Sequence, residues 1–274
     1  MSFTLSELLQ AAYAELGQLA AARVSGGSTD TLVDETMRGR GSDDAWKGGC
    51  IFIISAGGEA PQGEFSGISA YDDSEGLFTL ASPLTAAVEA GDLYGLASGY
   101  YPLGTMIEIA NAGLRAVGEL PLAQIVSLDG CTSGIAWQGR PPVRVDRLCG
   151  GGAGQRWQRT YDWEYQRGGA GEDGTIICRR SLAGAAAVRI WYMDTQPRLE
   201  AWHDELAEAV APELAVAAVV ERALRWQNSR LGGGDSFLLQ RWNDARVELG
   251  NAQRRYPIWG PGRGHRMYLA GAGR

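Results

Sequence analysis

Tyr101-Pro102-Leu103-Gly104-Thr105-Met106-Ile107-Glu108-Ile109-Ala110-Asn111-Ala112-Gly113-Leu114-Arg115-Ala116-Val117 is the stretch that decides how the chain is read. Proline fits the first turn of a helix. Leu103, Met106, Ile107, Ala110, Leu114 and Val117 then fall on one face at helical spacing. Gly118 to Pro121 ends the segment. A helix at this place separates two long blocks of strand texture.

The block before it, Val24 to Ser98, is broken every few residues by Gly, Asp and Ser. Cys50-Ile51-Phe52-Ile53-Ile54 is a continuous apolar run and reads as a buried strand. Phe65–Tyr71, Leu77–Leu80 and Asp92–Leu96 give three more strands, with hairpin-turn chemistry at Asp72-Asp73-Ser74-Glu75-Gly76. Ahead of this block, Thr4-Leu5-Ser6-Glu7 has the form of a capping box. It opens a helix striped by Leu5, Leu8, Leu9, Ala12, Tyr13, Leu16 and Leu19.

The block after it predicts strands at Leu122–Leu128, Val143–Leu148, Arg156–Tyr165, Thr175–Cys178 and Val188–Met193, with Gly-rich turns at 150–154 and 168–174. Trp157, Tyr161, Trp163 and Tyr165 share a face if 156–165 is one unbroken strand. Beyond it, Pro212-Glu213 starts a helix carrying Leu214, Ala217, Ala218 and Leu224. After Gly232-Gly233-Gly234, Asp235 or Ser236 caps a last helix that Pro257 stops. That helix spans roughly 30 Å.

The order helix, strands, helix, strands, helix, helix predicts an α+β protein. Residues 1–23, 100–120 and 205–256 form a helical bundle core. Two antiparallel β insertions hang from it, an acidic one at 24–99 and an aromatic-rich one at 121–200, and residues 257–274 form an extended C-terminal arm. A parallel βαβ fold is disfavoured, because the strands come in runs.

Charge divides the chain sharply. Its 274 residues carry a formal −7. Ten arginines against Asp235, Asp244 and Glu248 give residues 222–274 a net +7, which leaves −14 on residues 1–221. Residues 24–98 hold twelve acids against Arg38, Arg40 and Lys47. Such asymmetry favours self-association or an acidic partner and disfavours indiscriminate binding to nucleic acid or anionic lipid. No apolar run reaches the ~18 residues that span a bilayer, and the N-terminus lacks the basic region of a signal peptide. A soluble, cytosol-made protein with free thiols at Cys50, Cys131, Cys149 and Cys178 follows.

Chemistry-bearing motifs are sparse. His203 and His265 are the only histidines, and the cysteines form no CxxC, so a metal centre is not expected. Gly169–Gly174 has the letters of GxGxxG but leads into a strand, not a helix. Gly150–Gly154 lacks the Lys and Ser/Thr of a P-loop, and Ser133 has the wrong spacing for a nucleophile elbow. The pairs Asp43-Asp44 and Asp72-Asp73 lack the pattern of a calcium loop and read as solvated turns. No enzyme, cofactor or metal is expected.

Three helical stretches carry a resemblance. They are Thr4-Leu5-Ser6-Glu7-Leu8-Leu9 with Tyr13-Ala14-Glu15-Leu16-Gly17; Tyr101-Pro102-Leu103 with Ile107-Glu108 and Asn111-Ala112-Gly113-Leu114-Arg115; and Pro212-Glu213-Leu214 with Gln240-Arg241-Trp242 and Ala252-Gln253-Arg254-Arg255-Tyr256-Pro257. Together they resemble the head-to-tail adaptor (head-completion) proteins of tailed bacteriophages. The resemblance implies a structural virion protein in the neck, made in the host cytoplasm, that lines the DNA conduit as a ring of about twelve copies. Its implied partners are the portal protein, the tail or tail-terminator proteins and other copies of itself. DNA passes through without specific binding, and no membrane is involved.

On this reading the C-terminal arm docks on the portal through Tyr256, Ile258, Trp259, Arg263, Arg266, Met267 and Tyr268, apolar anchors interleaved with cations. The isolated protein is expected to be monomeric and to assemble on its partner. A second class is a phage tail or baseplate carbohydrate-binding protein that stacks sugars on Trp157 and Trp163. A third, a small hydrolase with paired carboxylates, lacks a base partner.

Overall fold

The computed structural model describes residues 3–57, 62–128, 134–149, 155–168, 173–178, 182 and 185–260. It divides into two compact units. The first comprises the chain to Gly118 together with Gln196–Pro257, and the second is built on Glu119–Thr195.

The first unit opens with α1 (Leu5–Glu15). Thr4 accepts the Glu7 amide at 3.3 Å, and the Glu7 carboxylate accepts the Thr4 amide at 2.8 Å, so the capping box is complete. Leu5, Leu8, Leu9, Ala12 and Tyr13 are fully buried. Strands β1 (Leu19–Arg23), β2 (Gly26–Gly27), β3 (Thr31–Val33), β4 (Cys50–Ser55), β5 (Phe65–Asp72), β6 (Leu77–Leu80) and β7 (Leu93–Ala97) follow. They form one antiparallel sheet in the order β1-β7-β4-β5-β6-β3-β2. β5 joins its halves. Phe65–Gly67 pairs with β4 and Ile68–Asp72 pairs with β6, with a bulge between Ile68 and Ala70. A bulge bends a strand, and residues from both halves, among them Leu32, Ile51, Ile53, Phe78, Tyr94 and Leu96, meet in a single core. Gly76 closes the β5–β6 hairpin at φ 63°, where a Cβ would lie 2.3 Å from the Asp34 carbonyl oxygen.

Helices α2 (Leu103–Val117), α3 (Pro212–Arg230) and α4 (Ser236–Arg255) complete this unit. α3 packs against each of the other three helices. Its approach to α2 is close: a Cβ on Gly113 would lie 2.9 Å from the Ala218 carbonyl oxygen. The Asn111 amide accepts the Leu199 N–H at 2.8 Å and donates to the Leu199 carbonyl at 2.8 Å, which pins the returning chain to α2.

The second unit holds β8 (Leu120–Ser127), β9 (Gly134–Trp137), β10 (Pro142–Cys149), β11 (Arg156–Thr160), β12 (Trp163–Gln166), β13 (Gly174–Cys178) and β14 (Ala187–Asp194). A four-stranded sheet, β11-β10-β14-β8, and a three-stranded sheet, β12-β13-β9, are both antiparallel. They share one core: Val145, Val188 and Ile190 from the larger sheet and Ile135, Trp137 and Ile176 from the smaller.

This architecture overturns the expected helical bundle core with two β insertions. Among the described residues the chain is mostly antiparallel sheet, fourteen strands in three sheets, with only four α-helices. Two physical causes account for the error. Each β region builds a core cluster from residues of its own strands, so the sheets are framework and not insertions hung from a bundle. Leu19–Arg23, an Ala-rich stretch assigned to the helical part, is strand β1, because pairing along β7 from Leu93 to Ala97 overrides its helix propensity.

Candidate interaction surfaces

Two surfaces stand out, and neither is a catalytic cleft. The first is α4. Asp235 caps it, accepting the Phe237 and Leu238 amides at 2.9 and 3.1 Å. One stripe lies on α3, where Trp242 Nε1 donates to Glu221 Oε1 at 2.8 Å, and Arg241 reaches the Leu16 carbonyl at 3.3 Å. Yet only Leu238 and Ala252 of its twenty residues are buried. Phe237 is 70% exposed and Val247 65%, with Leu239 also exposed. A helix secured by tertiary contacts normally hides an apolar stripe and turns polar residues outward. α4 instead turns Phe237, Leu239 and Val247 to solvent.

The second surface is the outer face of the four-stranded sheet. The pairing register builds it row by row. Arg159, Asp146, Arg189 and Ile125 lie in one row across β11, β10, β14 and β8. Arg144, Trp191 and Ala123 form the next, and Trp157 and Leu148 lie on the other side. Paired residues in register share a face. Asp146 is fully buried beneath this face. It accepts Arg144 Nε at 2.7 Å, Trp191 Nε1 at 2.8 Å and an Arg189 guanidinium nitrogen at 3.2 Å. Burial pushes its carboxyl up. The hydrogen bonds from Arg144 and Trp191, the Arg144 charge and the Arg189 hydrogen bond outweigh that and hold it below the ordinary aspartate value.

Arg189 is in turn sandwiched between two indoles, 4.7 Å from the Trp157 ring and 4.9 Å from the Trp191 ring, and Arg144 lies 5.7 Å over Trp191. The result is a ladder of alternating indole and guanidinium, with the Arg144 and Arg189 side chains 29% and 26% exposed. Ile125 beside it is 61% exposed. Tyr161, just past the end of β11, is 66% exposed under the Arg159 guanidinium.

Among the described residues no group of His, Cys, Asp and Glu is placed to hold a metal. A cleft among α2, α3 and α4, lined by Gly113, Val117, Ala218, Arg222, Leu249 and Gln253, measures about 80 Å³, small beside the roughly 300–1,000 Å³ of small-molecule sites. The Cys50 thiol is pushed up to about 12 by burial, against a hydrogen bond with Tyr13 that lowers it, so it is no nucleophile at neutral pH. Asp72 accepts the Ser74 and Glu75 amides and the Ser74 hydroxyl. Asp43 accepts the Asp73 amide and Asp44 the Tyr71 amide, so both acidic pairs serve as turn-forming acceptors. His203 is exposed beside the Trp202 ring.

Of the residues expected to dock on a portal, Tyr256 closes α4 by donating its amide to the Ala252 carbonyl, Ile258 is half-buried and Trp259 is 80% exposed. Arg263, Arg266, Met267 and Tyr268 lie outside the described residues, as do Ser133, Cys131, His265, Gly150–Gly154 and most of the GxGxxG stretch. The expected common face of Trp157, Tyr161, Trp163 and Tyr165 does not form. The strand breaks after Thr160, and Trp163 and Tyr165 pack against the second unit's core from the other sheet. Arg144, Asp146 and Arg189 escaped the sequence reading. Their one signal was the alternation of Arg144 and Asp146 with Val143 and Val145 in β10; Arg189 has no such pattern.

No protein-family model matches the chain, and no curated protein matches it. No helix among the described residues is long and apolar enough to cross a membrane.

Proposed function

We propose that the protein is a structural subunit of the ring joining portal to tail in a tailed bacteriophage, a role of assembly without catalysis. The observation that carries this reading is α4, a twenty-residue helix with Phe237, Leu239 and Val247 exposed. In this reading these three side chains meet a neighbouring copy in the ring. The charge division supports it. A chain with −14 on residues 1–221 and +7 on residues 222–274 suits head-to-tail contacts between unlike surfaces, the kind of heterologous contact that builds a ring when the rotation between copies closes. The arm at 257–274 docks on the portal, with Trp259 as its exposed anchor.

Two measurements test this. Deleting residues 257–274 leaves a folded protein that no longer co-sediments with portal. Val247→Glu leaves stability within about 0.5 kcal/mol, as surface changes do, and prevents ring formation on portal particles seen by electron microscopy. A Val247→Glu protein that still forms complete rings would sink the reading.

A further inference from the structure

We infer that the cleft among α2, α3 and α4 is the socket of a contact between copies, and that its occupant is Val247 of a second copy with the carboxylates of Asp244 and Glu248 beside it. This rests on the ring reading above and names the surface that α4 meets on the next copy.

The cleft exists because small residues line two of its walls. Gly113 on α2 lets the α3 backbone come so close that a Cβ there would lie 2.9 Å from the Ala218 carbonyl oxygen. Ala116 and Ala218 add only a methyl each, and Leu249 of α4 closes the remaining side. The depression this leaves measures about 80 Å³, on the scale of one aliphatic side chain and too small for the usual ligand. Its charged lining is one-sided. Arg222 and Arg225 stand there with a single carboxylate, Glu221, and Glu221 Oε1 already accepts Trp242 Nε1 at 2.8 Å. Among the described residues neither arginine forms an ion pair. An apolar floor beneath two cations without ionic partners selects an aliphatic side chain flanked by carboxylates.

α4 carries that combination on its other side. Val247 is 65% exposed. Asp244 and Glu248 are the only carboxylates of α4, and they stand one turn before Val247 and directly after it. Both are exposed. Asp244 accepts Gln240 Nε2 at 2.8 Å, and neither acid forms an ion pair among the described residues. Val247 and Leu249 are two positions apart, about 200° around the helix, so knob and socket lie on opposite faces of α4. They cannot pair within one copy. Joined between copies they make a contact of unlike surfaces, which repeats from each copy to the next.

The test counts complete rings on portal particles by electron microscopy, using the full chain, with circular dichroism to confirm folding. Three variants change exposed side chains. Ala116→Trp plugs the socket, Arg225→Glu reverses its rim, and Glu248→Arg reverses the flank of the knob. Each lowers the fraction of particles with a complete ring by roughly tenfold or more, because a blocked or like-charged contact is strongly disfavoured. Arg225→Glu combined with Glu248→Arg in one chain restores the rings, since the exchanged charges again attract. Wild-type ring frequency in Ala116→Trp or in either single reversal overturns the inference, and so does a double reversal that stays at the level of the singles. If those variants assemble while Val247→Glu does not, Val247 meets another surface; the inference falls and the ring reading stands. A wild-type chain that forms no ring on portal particles overturns both.

Discussion

β4 and β10 are both inner strands of antiparallel sheets, and they are built in opposite ways. β4 reads Cys50-Ile51-Phe52-Ile53 and is buried on both faces. Ile51 and Ile53 enter the core of the seven-stranded sheet. Cys50 and Phe52 point the other way, where Tyr13 of α1 lies 5.7 Å from the Phe52 ring. β10 alternates. Val145 faces the second unit's core, while Arg144 and Asp146 face outward under the ladder. A strand covered twice needs an apolar run, and a strand covered once alternates. The first arrangement commits both faces to stability. The second leaves one for recognition.

The comparison breaks most readily at Phe52. Phe52→Ala empties a site fully buried between Tyr13 and Phe65 and should cost about 4 kcal/mol. Urea unfolding monitored by circular dichroism measures the loss, and hydrogen exchange should place it in peptides of the first unit. A cost near 1 kcal/mol would mean that α1 does not seal that face.

Asp146→Ala tests the other strand, with an expected cost of about 3 kcal/mol. Removing the acid leaves two guanidiniums and the Trp191 N–H without their shared acceptor, the penalty of breaking a buried pair from one side. Exchange should locate this loss in β10 and β14. Arginines as exposed as Arg144 and Arg189 recover some hydration, which is why the figure falls below that for Phe52.

The same contrast explains what could be read from residues alone. The run at 50–54 was legible as a buried strand because two-sided burial leaves a signature in the letters. The capping box at Thr4, the proline at 212 and the cap at 235 were legible because they act within one turn of chain. β1 was not, because an alanine-rich pentapeptide becomes a strand only when β7, some seventy residues on, pairs with it. The break after Thr160 was missed for a related reason: its cause is the split of the aromatic residues between two sheets, a tertiary event. The ladder was hidden for the same reason. Trp157, Arg189 and Trp191 lie on two different strands, and their stacking follows from a register that no local pattern records.

Titration sharpens the comparison with the smallest effects. In the first unit, burial first, then Asp73, Asp34 and Asp72, push the Tyr71 hydroxyl up to about 12, and burial pushes Cys50 to about 12. Groups raised in the folded state contribute stability that is complete below their unfolded values, about 10 for tyrosine and 8.5 for cysteine. That stability is lost as pH climbs toward the folded values. Asp146 in the second unit is lowered instead. Its contribution is complete above the unfolded value of about 3.9 and is lost as pH falls below it. Urea midpoints measured across pH should therefore fall at both ends, for different residues. Tyr71→Phe keeps the ring but removes the hydroxyl that donates to the Met37 carbonyl at 2.8 Å, so it should remove part of the alkaline arm, the rest belonging to Cys50, Tyr13, Tyr94, Tyr101 and Cys178, whose groups burial also raises, and leave the acid arm unchanged. Asp146→Asn should start lower at neutral pH and lose part of the acid arm. The residual acid slope belongs to Asp44, Asp72, Glu108 and Asp204, whose carboxyls are also held low in the first unit. If Asp146→Asn retained the whole wild-type acid slope, the buried carboxylate would not be the ion that organises the ladder.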